Sequence, residues 1–382
     1  MLKFQKLKIL DSMNTIRKTL RLGFLFAFLL NLNASLAQEK ICNLKTPSND
    51  LIEVSTLNKL IESAMDSLGV PGLSIAIVND LEIVYHETFG ITSIDTENPV
   101  TKNTLFEGAS LSKPLFAYFI MSMMEKGLID LDEPIYPFLK PIFPKGAIAP
   151  HSFEAYKTLT PRIILSHGTG IPNWVKGKPI EIAFEPGTDF SYSGEAYQHL
   201  GAAFGTKLEI GWGQKLDSIF IKEVAFPIGM DRSLYTWDKK YEEDVAYGHL
   251  DGKATKEINR YKNVGPGFSL HTDAEDYARF LIEMMNPKKI SKTTRDEMLK
   301  THNHFTEDDE LFLETGQTGW GLGFAQKPTP NGLMHLHTGN NQDFQAYTMF
   351  IPEREYGFVM FGNSNNLFPL LEKIETLLGK HF

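Results

Sequence analysis

Strand patterns occur near both ends of this chain, and a long segment rich in helical patterns separates them. Residues 73–78 and 82–86 alternate as two strands joined by a turn, and residues 346–351 and 357–361 form a second such pair. A helical pattern follows at residues 368–378. We therefore expect an α+β fold in which one antiparallel sheet, built from both chain ends, is flanked by helices and carries an inserted, mostly helical lobe.

The same patterns set the expected boundaries of the two lobes. The sheet lobe is predicted at about residues 45–105 and 315–382, and the helical lobe at about residues 106–314. An amphipathic helix is predicted at residues 51–68, ahead of the first strand pair. The chain shows no internal repeat and no low-complexity linker, so one compact two-lobed unit is expected.

Residues 1–37 have the pattern of a secretory signal peptide. Basic residues precede an apolar run at residues 23–32, and Ser-Leu-Ala at residues 35–37 supplies a small-x-small cleavage site. The apolar run is about half the length that a membrane-spanning helix needs. We expect cleavage that leaves residues 38–382 as a secreted or periplasmic domain. An uncleaved anchor is the alternative, and Met13 is an alternative start.

Charge and cysteine content limit the partners. The chain has a formal net charge of −9 at pH 7, and loss of the basic signal makes the remaining protein more acidic. Nucleic acids and anionic membrane surfaces attract basic patches, so we expect neither as a partner and predict a small-molecule or short-peptide substrate. The single cysteine, Cys42, excludes an intrachain disulfide. The oligomeric state stays open.

Ser110 and Lys113 form a Ser-x-x-Lys motif at the start of a predicted buried helix. Residues 107–109 break a strand-like segment, and apolar residues recur at helical spacing from Leu115. Pro114 falls in the first turn, where a missing amide hydrogen costs least. Residues three apart share a helix face, so Lys113 Nζ can reach the Ser110 hydroxyl. The alternative is that Ser110 caps the helix and Lys113 is a solvated charge.

A serine nucleophile needs a base, and an ordinary lysine does not supply one. A lysine of pKa about 10.4 is almost fully protonated at neutral pH. Burial can lower the pKa of Lys113, and an ammonium beside a phenol can lower the phenol pKa toward phenolate. Tyr192 is the candidate proton-relay partner, because it lies in the turn-rich segment 185–194 before an apolar helix at about residues 196–204. The alternative is an aromatic residue at a pocket rim.

Residues 334–338 alternate with the period of a strand, which ends in a third motif. His337 and Thr338 are expected to face opposite sides, and Gly339 to permit close approach of a substrate backbone. The alternatives are a hydrogen-bonded strand histidine, or a metal held by His335 and His337. No metal is predicted, because no third ligand stands at a recognisable spacing.

In this order, the Ser-x-x-Lys, Tyr-Ser-Gly and His-Thr-Gly motifs resemble those of the penicillin-recognising serine hydrolases. The resemblance is strongest to the class C β-lactamases and their esterase and D-aminopeptidase relatives. It spans the chain from about residue 50 to the end and includes residues 70–76, 127–132, 165–171 and 320–324. It implies that Ser110 is acylated, that Lys113 and Tyr192 transfer its proton, and that no cofactor takes part.

The resemblance also assigns the substrate groove. It implies that His337, Thr338 and Gly339 line the groove, and that the backbone N–H groups of Ser110 and Asn340 form an oxyanion hole. Such donors contribute roughly 3 kcal/mol each. His167, in the segment that resembles the floor of the family's site, is expected to have a structural role.

Two positions depart from the family pattern. Gly194 stands where the family usually has an asparagine that hydrogen-bonds the lysine and the substrate's amide. His337 replaces a lysine whose charge attracts the substrate carboxylate, and a histidine of pKa about 6.5 is mostly neutral at pH 7. Both favour an esterase or amidase that forms an acyl-enzyme with esters or small amides. The alternatives are a DD-peptidase or β-lactamase acting on cell-wall peptides or penicillins, and a non-catalytic binding or sensor protein of the same fold.

Overall fold

The computed structural model describes residues 43–255 and 258–379, and within them eight strands form one antiparallel sheet. These strands are β1 (Gly72–Asn79), β2 (Glu82–Gly90), β3 (Asn303–His304), β4 (Gly319–Trp320), β5 (Ala325–Thr329), β6 (Gly332–Asn340), β7 (Gln345–Ile351) and β8 (Tyr356–Gly362). Their order across the sheet is β2-β1-β8-β7-β6-β5-β4-β3. The predicted signal peptide and Cys42 lie outside the described residues.

The sheet joins the two ends of the chain. β1 lies between β2 and β8, with Val78 opposite Gly357. Every residue of β1 and β8 is buried, as expected of central strands that are covered on both faces. Asp80 and Leu81 turn the chain from β1 into β2 with positive φ angles, which match the twist of a tight hairpin. The predicted α+β fold is confirmed.

Helices cover both faces of the sheet, and successive strand residues alternate between the two cores. The long helices are α1 (Val54–Leu68), α2 (Ser112–Glu125), α3 (Gly194–Lys207), α4 (Ala274–Met285) and α5 (Leu367–Leu378). Ile75 of β1 belongs to the core that contains α1 and α5. The next residue, Ala76, belongs to the core that contains α2, α3 and α4. This alternation follows from the two-residue period of a strand.

Helices are the main regular elements in the segment between β2 and β3. Its shorter helices are Tyr136–Leu139, Phe153–Tyr156, Pro161–Leu165, Gln214–Phe220, Phe226–Ile228 and Lys292–Leu299, and Glu310–Thr315 follows β3. Single 3-10 turns occur at Ala109–Leu111, Pro150–Ser152, Lys239–Tyr241 and Pro352–Arg354. One π-helical segment occurs at Ile221–Ala225. Short strand pairs are Asn43–Lys45 with Leu51–Glu53, Phe106–Glu107 with His271–Thr272, and His249–Leu250 with Lys253–Ala254. α2 is buried from Ser112 to Met123, and its apolar side chains belong to the core that also contains α3 and α4.

The bounds of several elements differ from the sequence prediction. The predicted helix at residues 51–68 begins at Val54, because Leu51–Glu53 is a short strand. β2 continues to Gly90, since its pairing with β1 extends beyond the apolar alternation that the sequence shows. Among the described residues, no helix combines the length and the apolar composition that crossing a membrane requires.

Candidate active site

Ser110 lies in a tight turn directly before α2. Ala109–Leu111 forms a 3-10 turn, and the amide nitrogen of Gly108 donates to the carbonyl oxygen of Leu270 at 2.7 Å, which fixes the entry to the turn. The sequence predicts that Ser110 opens the helix, whereas α2 begins at Ser112. The difference arises because the first turn of the apolar pattern is wound more tightly than an α-helix.

The backbone of this turn is strained. Ala109 has a φ of +46°, a conformation that costs roughly 1–3 kcal/mol in a residue other than glycine. Ala109 and Leu111 are fully buried, whereas Ser110 between them is partly exposed. The turn therefore presents one hydroxyl to solvent between two anchored neighbours, a conformation that is common at functional sites.

Lys113 is fully buried and lies beside the Ser110 hydroxyl. Its Nζ is 2.9 Å from Ser110 Oγ and 2.8 Å from the carbonyl oxygen of Gly267. Burial lowers the pKa of Lys113 from 10.5 to about 7, because water cannot solvate the ammonium. A substantial share of Lys113 is therefore neutral at pH 7 and able to accept a proton. The alternative of a solvated surface charge is wrong.

Tyr192 completes a compact group with Ser110 and Lys113. Lys113 Nζ lies 4.7 Å from the centre of the Tyr192 ring. Burial raises the pKa of Tyr192, and a hydrogen bond with the Ser110 side chain only partly offsets that rise. The expected shift toward phenolate is therefore wrong: burial outweighs any effect of Lys113, whose own charge is partly lost at neutral pH. Tyr192 stays a protonated phenol.

His167 supports Tyr192 from behind. The two ring centres are 4.3 Å apart, and His167 Nδ1 accepts a hydrogen bond from the Ser193 amide at 3.0 Å. Burial, with the nearby Lys113 charge, holds the pKa of His167 well below its ordinary value, so the ring is neutral. Its φ of +61° is unusual for a residue with a side chain. His167 therefore positions the loop that carries Tyr192.

Gly194 follows Ser193, which caps α3 by accepting a hydrogen bond from Ala196. The space that a side chain at Gly194 would enter is filled by Trp174, whose ring atoms lie 2.6 and 2.7 Å from the position of an added Cβ. Asn173 Oδ1 accepts a hydrogen bond from the Gly194 amide at 2.8 Å. An indole ring thus stands where the family pattern leads one to expect an asparagine side chain.

His337 on β6 is buried at 2% exposure and close to Lys113. Its Nδ1 lies 2.7 Å from the carbonyl oxygen of Thr338, so Nδ1 carries the proton. Nε2 is buried and has no hydrogen-bond partner among the described residues. Burial, the largest effect, and the charge of Lys113 lower the pKa of His337 to about 3. His337 is therefore neutral throughout the physiological range.

The end of β6 packs against the Ser110 turn. A Cβ added to Gly339 would lie 2.7 Å from the carbonyl oxygen of Gly108, so this glycine permits close approach of β6 to the turn. Protein atoms fill the space on the Cβ side of Gly339, and the approach of a substrate backbone to this glycine stays a prediction. Thr338 and Asn340 are exposed, on the face opposite the buried His337.

His335 shares a strand face with His337 but stacks on Phe350, with ring centres 5.1 Å apart. Burial lowers the pKa of His335 to about 3. Across residues 43–255 and 258–379, no three His, Cys, Asp or Glu side chains are grouped so that they could hold a metal ion. The contacts of His335 are those of a core residue.

Comparison with known proteins identifies the family. A family model described as Beta-lactamase matches residues 57–378, which is most of the chain. The chain belongs to the beta-lactamase family. A β-lactamase from Providencia stuartii is 24% identical over 365 residues, which cover 84% of this chain and 91% of the relative. A β-lactamase from Yersinia enterocolitica is 22% identical over 372 residues, which cover 87% of this chain and 90% of the relative.

Solved structures share the beta-lactamase-family fold. The octameric penicillin-binding protein homologue from Pyrococcus abyssi aligns with a TM-score of 0.72 at 24% identity, over 86% of this chain and 78% of that one. The D-alanine carboxypeptidase AmpC from Burkholderia cenocepacia aligns with a TM-score of 0.67 at 22% identity, over 85% of this chain and 98% of that one. Family membership and the fold make this protein a serine hydrolase of the beta-lactamase family.

Two residues of this beta-lactamase-family site were not predicted from the sequence. Gly267 contributes the carbonyl oxygen that accepts from Lys113 Nζ. A turn signal, Gly265-Pro266-Gly267, marks that segment but does not show which side chain it meets. Trp174 lies in a segment without periodicity, so its position against Gly194 carried no local signal.

Proposed function

We propose that this protein is a secreted serine hydrolase that forms an acyl-enzyme on Ser110 and acts on esters or small amides. The observation that carries the proposal is the fully buried Lys113, whose Nζ lies 2.9 Å from Ser110 Oγ and whose pKa is lowered to about 7. A neutral amine at this distance can act as the general base that a serine nucleophile needs.

Acylation begins with proton transfer from Ser110 to neutral Lys113. As the proton moves to Nζ, Ser110 Oγ bonds to the carbonyl carbon of the substrate. The bond between this carbon and the leaving group then breaks, and the proton passes to the leaving group through the Tyr192 hydroxyl. Tyr192 suits this step because its raised pKa keeps it a proton donor at neutral pH.

Deacylation repeats these transfers with water in place of Ser110. The water oxygen bonds to the acyl carbon and gives a proton to Lys113. The bond between the acyl carbon and Ser110 Oγ then breaks, and the proton passes through the Tyr192 hydroxyl to Ser110 Oγ. In both acylation and deacylation, the developing oxyanion would accept hydrogen bonds from the backbone N–H groups of Ser110 and Asn340. The packing of Gly339 against Gly108 supports this arrangement, because it holds the end of β6 beside the Ser110 turn.

The charge state of the groove supports neutral substrates. His337 is uncharged at pH 7 because its pKa is about 3, so it offers no cation to a substrate carboxylate. Gly194 has no side chain that could hydrogen-bond an acylamino group. Simple esters and small amides need neither interaction.

Secretion rests on the signal-like pattern of residues 1–37. Expression of the full chain in a bacterial host, followed by N-terminal sequencing of the exported protein, tests it. We expect a mature protein that begins at Gln38. A cytoplasmic protein that retains its first residues would contradict the signal.

The enzyme proposal is tested with a serine-directed phosphonate and mass spectrometry. We expect one covalent adduct on the wild-type protein, located on Ser110, and none on Ser110→Ala. Ser122→Ala, which changes a buried serine further along α2, is the control that should still react. A wild-type protein that forms no adduct and hydrolyses no ester or amide would refute the proposal and favour a binding or sensor protein.

Incubation with penicillin separates the proposal from the activities of the β-lactamase and carboxypeptidase relatives. A DD-peptidase or β-lactamase is expected to form a penicilloyl adduct on Ser110 at low drug concentration. The neutral His337 and the missing side chain at Gly194 predict slow or absent adduct formation. Rapid acylation by penicillin would replace the esterase proposal with the cell-wall peptide alternative.

A further inference from the structure

Glu107 is a buried acid three residues before the nucleophile Ser110. It ends the short strand Phe106–Glu107, it is 3% exposed, and the proton transfers at Ser110 do not use it. Burial raises the pKa of Glu107, and its hydrogen bonds lower that pKa only in part. A carboxylate loses hydration free energy when it is buried, so its place in the fold depends on the donors that surround it.

Three neutral side chains donate hydrogen bonds to the Glu107 carboxylate. Asn259 Nδ2 donates to Oε1 at 2.7 Å. Asn341 Nδ2 and the Tyr261 hydroxyl donate to Oε2 at 2.7 and 3.2 Å. Asn341 Nδ2 also lies 3.3 Å from the carbonyl oxygen of Phe268. The carboxylate therefore connects its own strand with residues 259–268 and with the residue that follows β6. We call the bond between Glu107 Oε2 and Asn341 Nδ2 the Glu107–Asn341 link.

The Glu107–Asn341 link joins the two segments that carry the proposed oxyanion donors. One residue separates Glu107 from the turn Ala109–Leu111, which contains Ser110, and Asn340 directly precedes Asn341. A bond at Glu107 therefore acts close to the backbone of both donors. The geometry of an oxyanion hole depends on both N–H groups at once, because each must lie about 2.7–3.1 Å from the same oxygen.

The end of β6 has few other anchors. Pairing of β6 with β5 ends at Leu336, whereas pairing with β7 continues to Asn340. Asn340 is exposed, and a strand end that is paired on one side opens more easily than a central strand. Packing of Gly339 on Gly108 limits how closely the two segments approach. A directional hydrogen bond at the next residue also constrains how the Asn340 N–H group points.

We propose that Glu107 is a positioning residue for the oxyanion hole, because its carboxylate fixes the Asn340 N–H group through Asn341. This inference rests on the proposed function, since it concerns how the same site stabilises an oxyanion. Glu107 acts through Asn341 and not by contact with the substrate. An oxyanion hole binds the transition state more tightly than the substrate. A displaced donor therefore lowers the acylation rate and leaves substrate binding little changed.

The test measures the burst of p-nitrophenol from p-nitrophenyl acetate, which gives the acylation rate constant and the half-saturating ester concentration. Asn341→Leu removes the link. Its acylation rate constant should fall by about 30-fold, less than the loss expected when an oxyanion donor is deleted outright. Its half-saturating concentration should stay within about threefold of wild type. The pH midpoint should stay near 7, whereas a general opening of the site would expose Lys113 and move it toward about 10.4.

Asn259→Leu is the matched control, since it removes the donor to the other oxygen of the same carboxylate and leaves the bond to Asn341 in place. Its acylation rate constant should stay within about threefold of wild type. A wild-type burst together with equal rate constants in Asn341→Leu and Asn259→Leu would overturn the positioning role and leave the serine hydrolase proposal intact.

Two changes at Glu107 itself separate the need for an acceptor from the need for a charge. Glu107→Gln should retain most of the acylation rate, because its amide oxygen can replace Oε2 and a rotated Asn259 amide can accept from its NH₂ group. Glu107→Leu leaves three donors without an acceptor and should lose at least as much rate as Asn341→Leu. A Glu107→Leu variant with the wild-type rate constant would contradict the positioning role.

Hydrogen exchange gives a readout that does not depend on turnover. Backbone amides in peptides that span residues 337–345 should exchange about tenfold faster in Asn341→Leu than in wild type, and at the wild-type rate in Asn259→Leu. Equal exchange in all three proteins would overturn the inference even if no ester were hydrolysed. A wild-type protein with no burst and no phosphonate adduct, but with faster exchange in Asn341→Leu, would refute the hydrolase and leave the link as the anchor of β6.

Discussion

Each side of the site contains one buried basic residue, Lys113 on the α2 helix and His337 on the β6 strand, and the two residues have different surroundings. On the helix side, Lys113 is buried but has Ser110 Oγ and the Gly267 carbonyl oxygen as partners, and its pKa is lowered to about 7. On the strand side, His337 is buried with its Nε2 unpartnered among the described residues, and its pKa is lowered to about 3. The first residue can exchange a proton at neutral pH, whereas the second keeps its charge state. We therefore propose that proton transfer takes place on the helix side and that the strand side shapes the groove.

The largest expected effect follows from removal of the helix-side base. Lys113→Met keeps an apolar stem without an amine, so kcat/KM for a neutral ester should fall by about 10³-fold. Lys113→Arg should be equally inactive, because an arginine does not lose its proton in proteins. Lys126→Met at the end of α2 is the control and should retain full activity. An active Lys113→Met variant would show that another group is the base.

Removal of Lys113 should also change how stability depends on pH. The unfolded chain keeps this lysine charged up to a pKa of about 10.4, whereas the folded protein begins to release the proton near pH 7. The unfolded state therefore binds more protons between these values, and wild-type stability should rise with pH across that window. Denaturant titrations should show a flatter rise for Lys113→Met than for wild type.

The next effect tests the contact between the two sides. In Gly339→Ala the added methyl group meets the Gly108 carbonyl oxygen at 2.7 Å, so β6 or the Ser110 turn must shift. Overpacking of this kind costs about 1–3 kcal/mol, and a displacement of about 1 Å at the chemistry lowers kcat/KM by up to about 10²-fold. Gly213→Ala is the control, because its added Cβ has no contact closer than 3.4 Å. A fully active Gly339→Ala variant would show that the contact does not set the geometry.

A smaller effect concerns Gly194 and Trp174. Gly194→Asn should destabilise the protein by about 1–3 kcal/mol, since its Cβ would lie 2.6 Å from the indole ring. Trp174→Ala combined with Gly194→Asn should cost less than the sum of the two single changes, because the ring no longer opposes the new side chain. Chemical denaturation of all four proteins measures this coupling. Additive costs would mean that the two positions do not compete for space.

The smallest effect is expected on the strand side. His337→Gln should leave kcat/KM for a neutral ester within about threefold and the pH profile between 5 and 9 unchanged, because no charge is lost. The folded pKa lies below the unfolded value of about 6.5, so the stability that neutral His337 contributes is present above pH 6.5 and lost as the pH falls toward 3. His337→Gln should therefore flatten the loss of stability in acid.

The fold and the helix side were largely predictable because their signals are local. Strand alternation at both chain ends predicted the central sheet, in which β8 pairs with β1. The three-residue spacing predicted that Lys113 Nζ reaches Ser110 Oγ, as it does. The direction of the Lys113 pKa shift also followed from the apolar helix around it. These properties depend on neighbours in the sequence, or on regular pairing.

The remaining features depend on contacts between distant segments. The space beside Gly194 is filled by a loop residue twenty positions earlier, and Gly339 meets Gly108 from the opposite end of the chain. The pKa of Tyr192 was expected to fall toward the phenolate form, but burial of the phenol raises it. Desolvation depends on how the core is assembled. The sequence predicts that a titratable group is buried only where the whole helix around it is apolar.

The central claim is that neutral Lys113 activates Ser110, and the pH dependence of phosphonate labelling at Ser110 tests it most directly. We predict a labelling rate that rises with pH along a single titration curve with its midpoint near 7, and a rate that is low and independent of pH in Lys113→Met. A wild-type rate that is flat between pH 6 and 9, or one whose midpoint lies near the ordinary lysine value of about 10.4, would contradict the claim.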